Sequence, residues 1–185
     1  MKKRLLLTLM VVSNILMFVA CGGDTKEENT TKAAAETTTE ETTEAEAKAC
    51  KLEWEVPEGF TSEDGESYVS ADYPTDSSNI TYTETLGDVT SIDFTKEDYE
   101  EVLKALMGDE IEMNITKFEN IESNGCPGLE IRIEYNYSGV KMVQTQYAFI
   151  SDGNSYSLTY TVVDDSAYAA AFEESMKTVK MVEIQ

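Results

Sequence analysis

Apolar and polar positions divide the chain into three regimes. From Leu5 to Ala20 the run is almost purely apolar, broken by Thr8, Ser13 and Asn14. From Gly22 to Ala49 there is no Leu, Ile, Val, Met or aromatic residue at all. From Cys50 onward the two kinds of position alternate with a clear period. Leu129, Ile131, Ile133, Tyr135 and Tyr137 interleave with Glu130, Arg132, Glu134 and Asn136. Val143, Thr145, Tyr147 and Phe149 continue the pattern, and Tyr156, Leu158, Tyr160 and Val162 interleave with Ser157, Thr159 and Thr161. A period of two with one apolar face predicts antiparallel strands.

Weaker signals of the same kind predict strands at 52–56, 67–71, 80–86 and 111–121. Ser151-Asp152-Gly153-Asn154 predicts a hairpin turn, since Asp-Gly tolerates the positive φ that tight turns need. Asn124-Gly125-Cys126-Pro127-Gly128 is read as the turn before strand 129–137. Two helices are predicted. Thr95 is the first helix's N-cap, with Asp98 beside it at the positive end of the dipole. Tyr99, Val102, Leu103 and Leu106 form its apolar stripe and Gly108 its stop. The second helix follows Asp164-Asp165-Ser166 and carries Tyr168, Phe172 and Met176 at i, i+4 and i+8. Residues 179–184 form a last strand or a docked tail. No βαβ repeat occurs, so a doubly wound parallel sheet is excluded. The expected class is α+β, an antiparallel sheet flanked by helices.

The first regime is short for a membrane span, which needs roughly 20 apolar residues. Lys2, Lys3 and Arg4 precede it and a small residue, Ala20, ends it, as in a signal peptide over residues 1–20. Phe18-Val19-Ala20-Cys21 resembles the bacterial lipobox, with Phe18 where that motif usually has Leu. The resemblance implies that Cys21 is lipidated with diacylglycerol and acyl chains such as palmitate, and becomes the first residue of the mature chain. Two or more acyl chains hold a protein stably on a bilayer where one does not. The implied location is the extracytoplasmic face of the cell membrane.

The second regime, with lipidated Cys21 counted as residues 21–49, is a Thr/Glu/Ala-rich linker. Between Gly22 and Ala49 it has eight Thr, six Ala, eight acidic residues and three Lys. With no apolar side chain to bury, it is expected to be disordered. A coil of that length has a root-mean-square span of roughly 30 Å. Residues 50–185 form the one globular domain, large enough for a modest core.

Several segments of that domain resemble the PsbP-like superfamily (the Mog/PsbP fold), in order along the chain. They are Trp54-Glu55-Val56-Pro57-Glu58-Gly59-Phe60, Ser78-Asn79-Ile80, Gly125-Cys126-Pro127-Gly128, Gln146-Tyr147-Ala148-Phe149, Tyr156-Ser157-Leu158-Thr159-Tyr160 and Phe172-Glu173-Glu174-Ser175-Met176-Lys177-Thr178. The resemblance spans residues 52–182 and implies an α/β/α sandwich around an antiparallel sheet. It implies no particular activity, because that fold serves unrelated functions. The His metal ligands of the photosystem members have no counterpart here, so no metal site and no cofactor is carried over.

Charge narrows the chemistry. The chain has 14 basic and 36 acidic residues, no His, and a net charge of −22. Nucleic acid is excluded as a partner, because phosphate neutralisation needs a basic face. Zero His removes Ser-His-Asp and Cys-His catalysis. The globular domain alone holds 8 basic and 28 acidic residues, so the charge coats the folded body. Such a body is repelled by anionic surfaces within about a Debye length, roughly 8 Å.

Three sets of residues are candidates for chemistry. Cys50 and Cys126 form a disulfide or remain two free thiols; sequence supplies no distance between them. The acidic clusters Glu63-Asp64-Gly65-Glu66, Asp72 to Asp76, Asp109-Glu110, Asp152-Gly153-Asn154 and Asp164-Asp165 match no calcium-loop spacing and read as turn chemistry and surface. Tyr82, Tyr135, Tyr137, Tyr147, Tyr156 and Tyr160 read as sheet packing, with a Tyr-lined platform for sugars or peptides as the alternative.

The functional expectation is a lipid-anchored, monomeric surface lipoprotein. Its domain is non-catalytic and binds a protein, glycan or cationic ligand, or serves an envelope accessory role. The alternatives are a secreted carboxylate-dependent hydrolase acting on glycans or peptides, and a structural spacer lipoprotein.

Overall fold

The computed structural model describes residues 49–87, 89, 91–92, 94–107 and 111–184. The signal peptide, Cys21, the linker up to residue 48, Gly108 and Asp109-Glu110 lie outside the described residues. Nine strands and two helices are present among the described residues. In chain order they are β1 (Cys50–Glu53), β2 (Phe60–Thr61), β3 (Ser67–Ser70), β4 (Asn79–Thr85), α1 (Lys96–Met107), β5 (Met113–Ser123), β6 (Cys126–Tyr137), β7 (Val140–Ser151), β8 (Asn154–Val163), α2 (Ala169–Met176) and β9 (Lys180–Glu183). Seven strands form one sheet in the order β2-β3-β4-β8-β7-β6-β5, and β1 pairs with β9 in a second. Every pairing is antiparallel. The protein is α+β, as the alternation predicts.

Strands β5 to β8 are a meander whose turns are two residues long. Asn124-Gly125, Ser138-Gly139 and Asp152-Gly153 all have positive φ at both positions. This is the conformation whose twist matches the flanking strands. The turn before β6 is therefore Asn124-Gly125 alone. Cys126, Pro127 and Gly128, read from sequence as turn, belong to β6 and pair with Ser123, Glu122 and Ile121. Gly128 is required by packing: a Cβ there would lie 2.5 Å from the Phe149 ring.

Each face of the sheet carries one helix. On α1, Tyr99 and Leu103 pack against Ile115, Leu129, Ile131, Ile133 and Met142. Leu106, expected in the same stripe, is exposed. The helix begins with a reciprocal cap, in which Asp98 N–H donates to Thr95 Oγ1 at 3.2 Å and Thr95 N–H donates to Asp98 Oδ2 at 3.0 Å. On the other face, Phe172 of α2 packs with Phe60, Tyr160, Leu158 and Met181. Phe172 is fully buried, worth about 1.5–3 kcal/mol of transfer free energy. Arg132 Nη1 lies 3.6 Å from Glu173 Oε1, tying α2 to the sheet.

The strands give the molecule two poles. At one, Cys50 N–H donates to Ser151 Oγ at 2.8 Å, beside the β7–β8 turn. At the other are the β6–β7 turn and the start of β4. Strand β7 has twelve residues and separates the poles by roughly 35–40 Å.

Candidate functional site

The pole farther from Cys50 carries a cleft of two lobes. The inner lobe, about 220 Å³, is lined by Tyr73, Ser77, Asn79, Tyr137, Ser138, Val140 and Met142. The outer, about 430 Å³, is lined by Ile111, Glu112, Asn136, Tyr137 and Ser138. Tyr137 and Ser138 belong to both. Tyr73, Tyr137 and Val140 are 47%, 40% and 42% exposed, so three apolar side chains surround one opening, a grouping typical of contact sites.

Each wall has a local cause. Tyr137 and Val140 flank the tight turn Ser138-Gly139, and Asn136 Oδ1 accepts from Gly139 N–H at 2.9 Å to close it. Asn79 opens β4, and its Nδ2 donates to Ser77 carbonyl oxygen at 2.9 Å. Met142 reaches the cleft from β7.

A carboxylate network holds the loop that carries Tyr73. Asp76 Oδ1 accepts from Ser78 N–H at 2.9 Å, and Asp76 Oδ2 from Ser166 Oγ at 2.7 Å. Tyr168 Oη donates to Asp72 Oδ2 at 2.6 Å. Burial disfavours the charged form of Asp76, but the Ser166 and Ser78 donors outweigh it and hold the carboxyl below its ordinary value. These acidic residues thus fix the loop, as the turn-chemistry reading expects. Asp64 does the same in its own turn, where Oδ1 accepts from Ser62 Oγ and from the amides of Glu66 and Ser67. Among the described residues no three His, Cys, Asp or Glu side chains gather to hold a metal ion.

Inward from Asn79, the α1-side face of β4, β8 and β7 is polar and buried. Asn79 is opposite Thr161, which is opposite Gln144; in the next row Thr81, Thr159 and Gln146 stand side by side. All six are under 9% exposed, and Thr159 is at 0%. Gln146 Oε1 accepts from Tyr99 Oη at 2.8 Å, and its Nε2 donates to Ser157 Oγ at 2.9 Å. Thr159 Oγ1 is buried without a hydrogen-bond partner.

The residues singled out from sequence lie elsewhere, with one exception. Cys50 and Cys126 are both buried, and no disulfide joins them in this structure. They are neighbours, since Asn124 Nδ2 lies 3.6 Å from Cys50 Sγ and Asn124 carbonyl oxygen 4.0 Å from Cys126 Sγ. Burial pushes the Cys126 thiol up, and Cys50 adds to that against a hydrogen bond to Ser151. Of the strand tyrosines, Tyr135, Tyr156 and Tyr160 are core and Tyr82 and Tyr147 are half-buried. Tyr137 alone lines the cleft. Tyr73, Ser77, Asn79, Ser138, Val140 and Met142 carried no separate signal as a site, because only the fold brings their segments together. A carboxylate hydrolase needs two facing carboxyl groups; the described cleft lining contains one, Glu112.

No family model matches the chain, and no curated protein does. Among solved structures, it is similar to LpqN of Mycobacterium tuberculosis, involved in cell envelope biogenesis. The two are 13% identical over 73% of this chain and 85% of that one, with a TM-score of 0.46. It is also similar to the cyanobacterial PsbP protein CyanoP of Synechocystis sp. PCC 6803, at 7% identity over 72% of this chain and 93% of that one, TM-score 0.49. A protein of unknown function from Pseudomonas aeruginosa is 10% identical over 70% and 95%, TM-score 0.38. At such identities no cleft residue carries over from one chain to another. Among the described residues no helix is long and apolar enough to cross a membrane.

Proposed function

We propose that this is a lipid-anchored protein of the cell envelope whose domain binds a ligand or partner, without catalysis, through the cleft at its far pole. Cys21 is the point of lipid attachment, on the extracytoplasmic face. The cleft's lining carries the reading: exposed Tyr73, Tyr137 and Val140 around serine and asparagine, with a single carboxylate among the described residues. That is the chemistry of contact, apolar body with a few polar fixing groups. Its position supports the reading too. The linker joins the domain at Cys50, at the opposite pole, so the tether's attachment leaves the cleft clear. Within the domain, we propose that the neighbouring thiols of Cys50 and Cys126, both beside Asn124, are oxidised to a disulfide on export, with their two electrons passing to the oxidant of the extracytoplasmic compartment.

The test is photo-crosslinking with the full-length protein in its own membrane. A benzoylphenylalanine at Val140 is expected to capture an envelope component, and Tyr137→Ala to abolish the capture. The same group at exposed Ile184, near Cys50, is the control. Equal capture from both positions, or from neither, would overturn the assignment. Mass spectrometry of the mature chain is expected to show a diacylglycerol-modified Cys21 at its start; an unmodified Cys21 would remove the anchor.

A further inference from the structure

Size and charge together select an occupant for the cleft. The inner lobe is about 220 Å³, below the roughly 300–1,000 Å³ of pockets that enclose a whole small molecule. It suits one large side chain. Tyr73, Tyr137 and Val140 stand exposed around it, and buried Met142 lines it. A pocket of this kind takes the central anchor of a protein interface and leaves polar contacts to the rim. Both walls are set before anything binds. The hydrogen bond from Gly139 N–H to Asn136 Oδ1 closes the turn between Tyr137 and Val140. Asp76, with Ser78 and Ser166, and Asp72, with Tyr168, hold the loop that carries Tyr73. Preformed walls spare the ordering cost of binding.

The rim is acidic. Asp72 adjoins Tyr73 and is exposed. Asp164 and Asp165 are exposed just past the end of β8. The Asp164 amide donates to the Lys141 carbonyl oxygen at 2.8 Å, beside Val140 and Met142 in the chain. Glu112 lines the outer lobe. Segments 72–79, 111–112, 136–142 and 164–166 together hold five carboxylates and one basic residue, Lys141. Gly108, Asp109 and Glu110, which precede Ile111 and lie outside the described residues, include no basic residue.

We propose that the cleft docks a basic segment of a partner protein, with one aliphatic or aromatic side chain seated in the inner lobe and flanking Lys or Arg against the acidic rim. The inference rests on the binding role assigned to the cleft and names the chemistry of the partner. The same charge sets three competitors aside. A second copy of this chain would bring an equally acidic pole. An acidic peptide and an anionic lipid surface would each meet repulsion within about a Debye length, roughly 8 Å. A basic segment is instead steered in by the rim carboxylates, an effect that weakens as salt rises. The apolar lobe then fixes its register, because only a side chain that fills the lobe buries the exposed edges of Tyr73, Tyr137 and Val140.

The experiment follows the Met142 methyl by NMR in the full chain held in micelles of an uncharged detergent. The probes are end-blocked pentapeptides, Lys-Lys-Trp-Lys-Lys and Lys-Lys-Leu-Lys-Lys. The controls are the same peptides with Glu for Lys, the basic peptide with Ala at its centre, and tetramethylammonium as a bare cation. At least one basic peptide with an apolar centre is expected to shift the Met142 signal, with every control about tenfold weaker or more. Raising the salt is expected to weaken that binding severalfold. Tyr137→Ala is expected to weaken it about tenfold, and this residue is exposed enough for the variant to fold. The double variant Asp164→Asn, Asp165→Asn removes two rim charges. Asn tolerates the positive φ of Asp165, so this variant is expected to melt as the parent does while binding the basic peptides severalfold more weakly. Any control binding as tightly as the basic apolar peptides, or unaltered affinity in the double variant, would overturn the proposal. If no basic peptide shifts Met142 while the Val140 crosslink persists, the partner chemistry is wrong and the binding role stands. If the crosslink also fails, both fall.

Discussion

Tyr99 of α1 and Gln146 of central strand β7 are joined by a buried hydrogen bond of 2.8 Å, from the phenol Oη to the amide Oε1. This bond fixes the helix against the sheet and, through Gln146 Nε2, orients Ser157. Burial pushes the Tyr99 phenol well above its ordinary value, so it remains a donor across the physiological range. Tyr99→Phe removes the donor and keeps the ring. It is expected to cost about 1–3 kcal/mol, the penalty for removing one partner of a buried pair, read as a lower midpoint in urea at constant slope.

Burial also sets the alkaline limit. Tyr135 is pushed up to about 12, and Tyr160 and Tyr99 are raised as well. A phenol with a raised folded-state value stabilises the fold fully below its unfolded value of about 10 and loses that contribution as pH rises through the folded one. Melting temperature is therefore expected to fall steeply above pH 10, with unfolding and tyrosinate absorbance at 295 nm rising together. Tyrosinate absorbance reaching completion before the fold is lost would contradict it.

The Asp76 network works on the acid side. Its carboxyl is held below the ordinary value, so its contribution is present above about pH 4 and disappears as pH falls through the lowered folded value. Asp76→Ala is expected to melt lower than the parent at pH 7 and to approach it at pH 3. The same variant releases the loop bearing Tyr73, so ligand binding at the cleft is expected to weaken at neutral pH.

Gly128 is the tightest point of the sheet. A Cβ there would meet the Phe149 ring at 2.5 and 2.7 Å and Ala148 carbonyl oxygen at 2.7 Å. Gly128→Ala is expected to destabilise by about 1–3 kcal/mol, the cost of overpacking. Gly139→Ala meets no atom within 4 Å but sits at φ 84°; its strain falls on the β6–β7 turn and is expected to disturb the cleft.

Cys50 and Cys126 give a direct chemical readout. Protein purified without reductant and then denatured is expected to show no reactive thiol at these positions, and two after reduction. Because the bond would close a loop of about 75 residues, reduction is expected to lower stability by about 4 kcal/mol on the chain-entropy model. Two thiols reacting before reduction would show that no bond forms between them.

Much of this fold was legible in sequence because local rules agreed. The alternation at 129–137, the Asp152-Gly153 turn and the Thr95–Asp98 cap each specify one element, and each appears. β2 escaped notice because two residues carry no period. The polar strip gave no sign of its burial for a physical reason. In β8, Ser157, Thr159 and Thr161 alternate with Leu158, Tyr160 and Val162, which in a half-covered antiparallel sheet marks a solvent face. Here both faces are covered, and Thr159 is as buried as Leu158. The cleft was illegible for another reason. Tyr73 and Tyr137 meet only once β4, β8, β7 and β6 have paired, and nothing local to either tyrosine encodes that pairing.

The ladder between β1 and β9 also sets an order in time. Cys50 pairs with Glu183 and Leu52 with Met181, so the first strand of the body has no ladder to join until residues 180–183 exist. Its closure spans nearly the whole domain and bears the greatest loop entropy in the fold. The meander can assemble as it emerges, while the segment adjoining the linker locks last. Removing residues 180–183 would take away the clasp on β1.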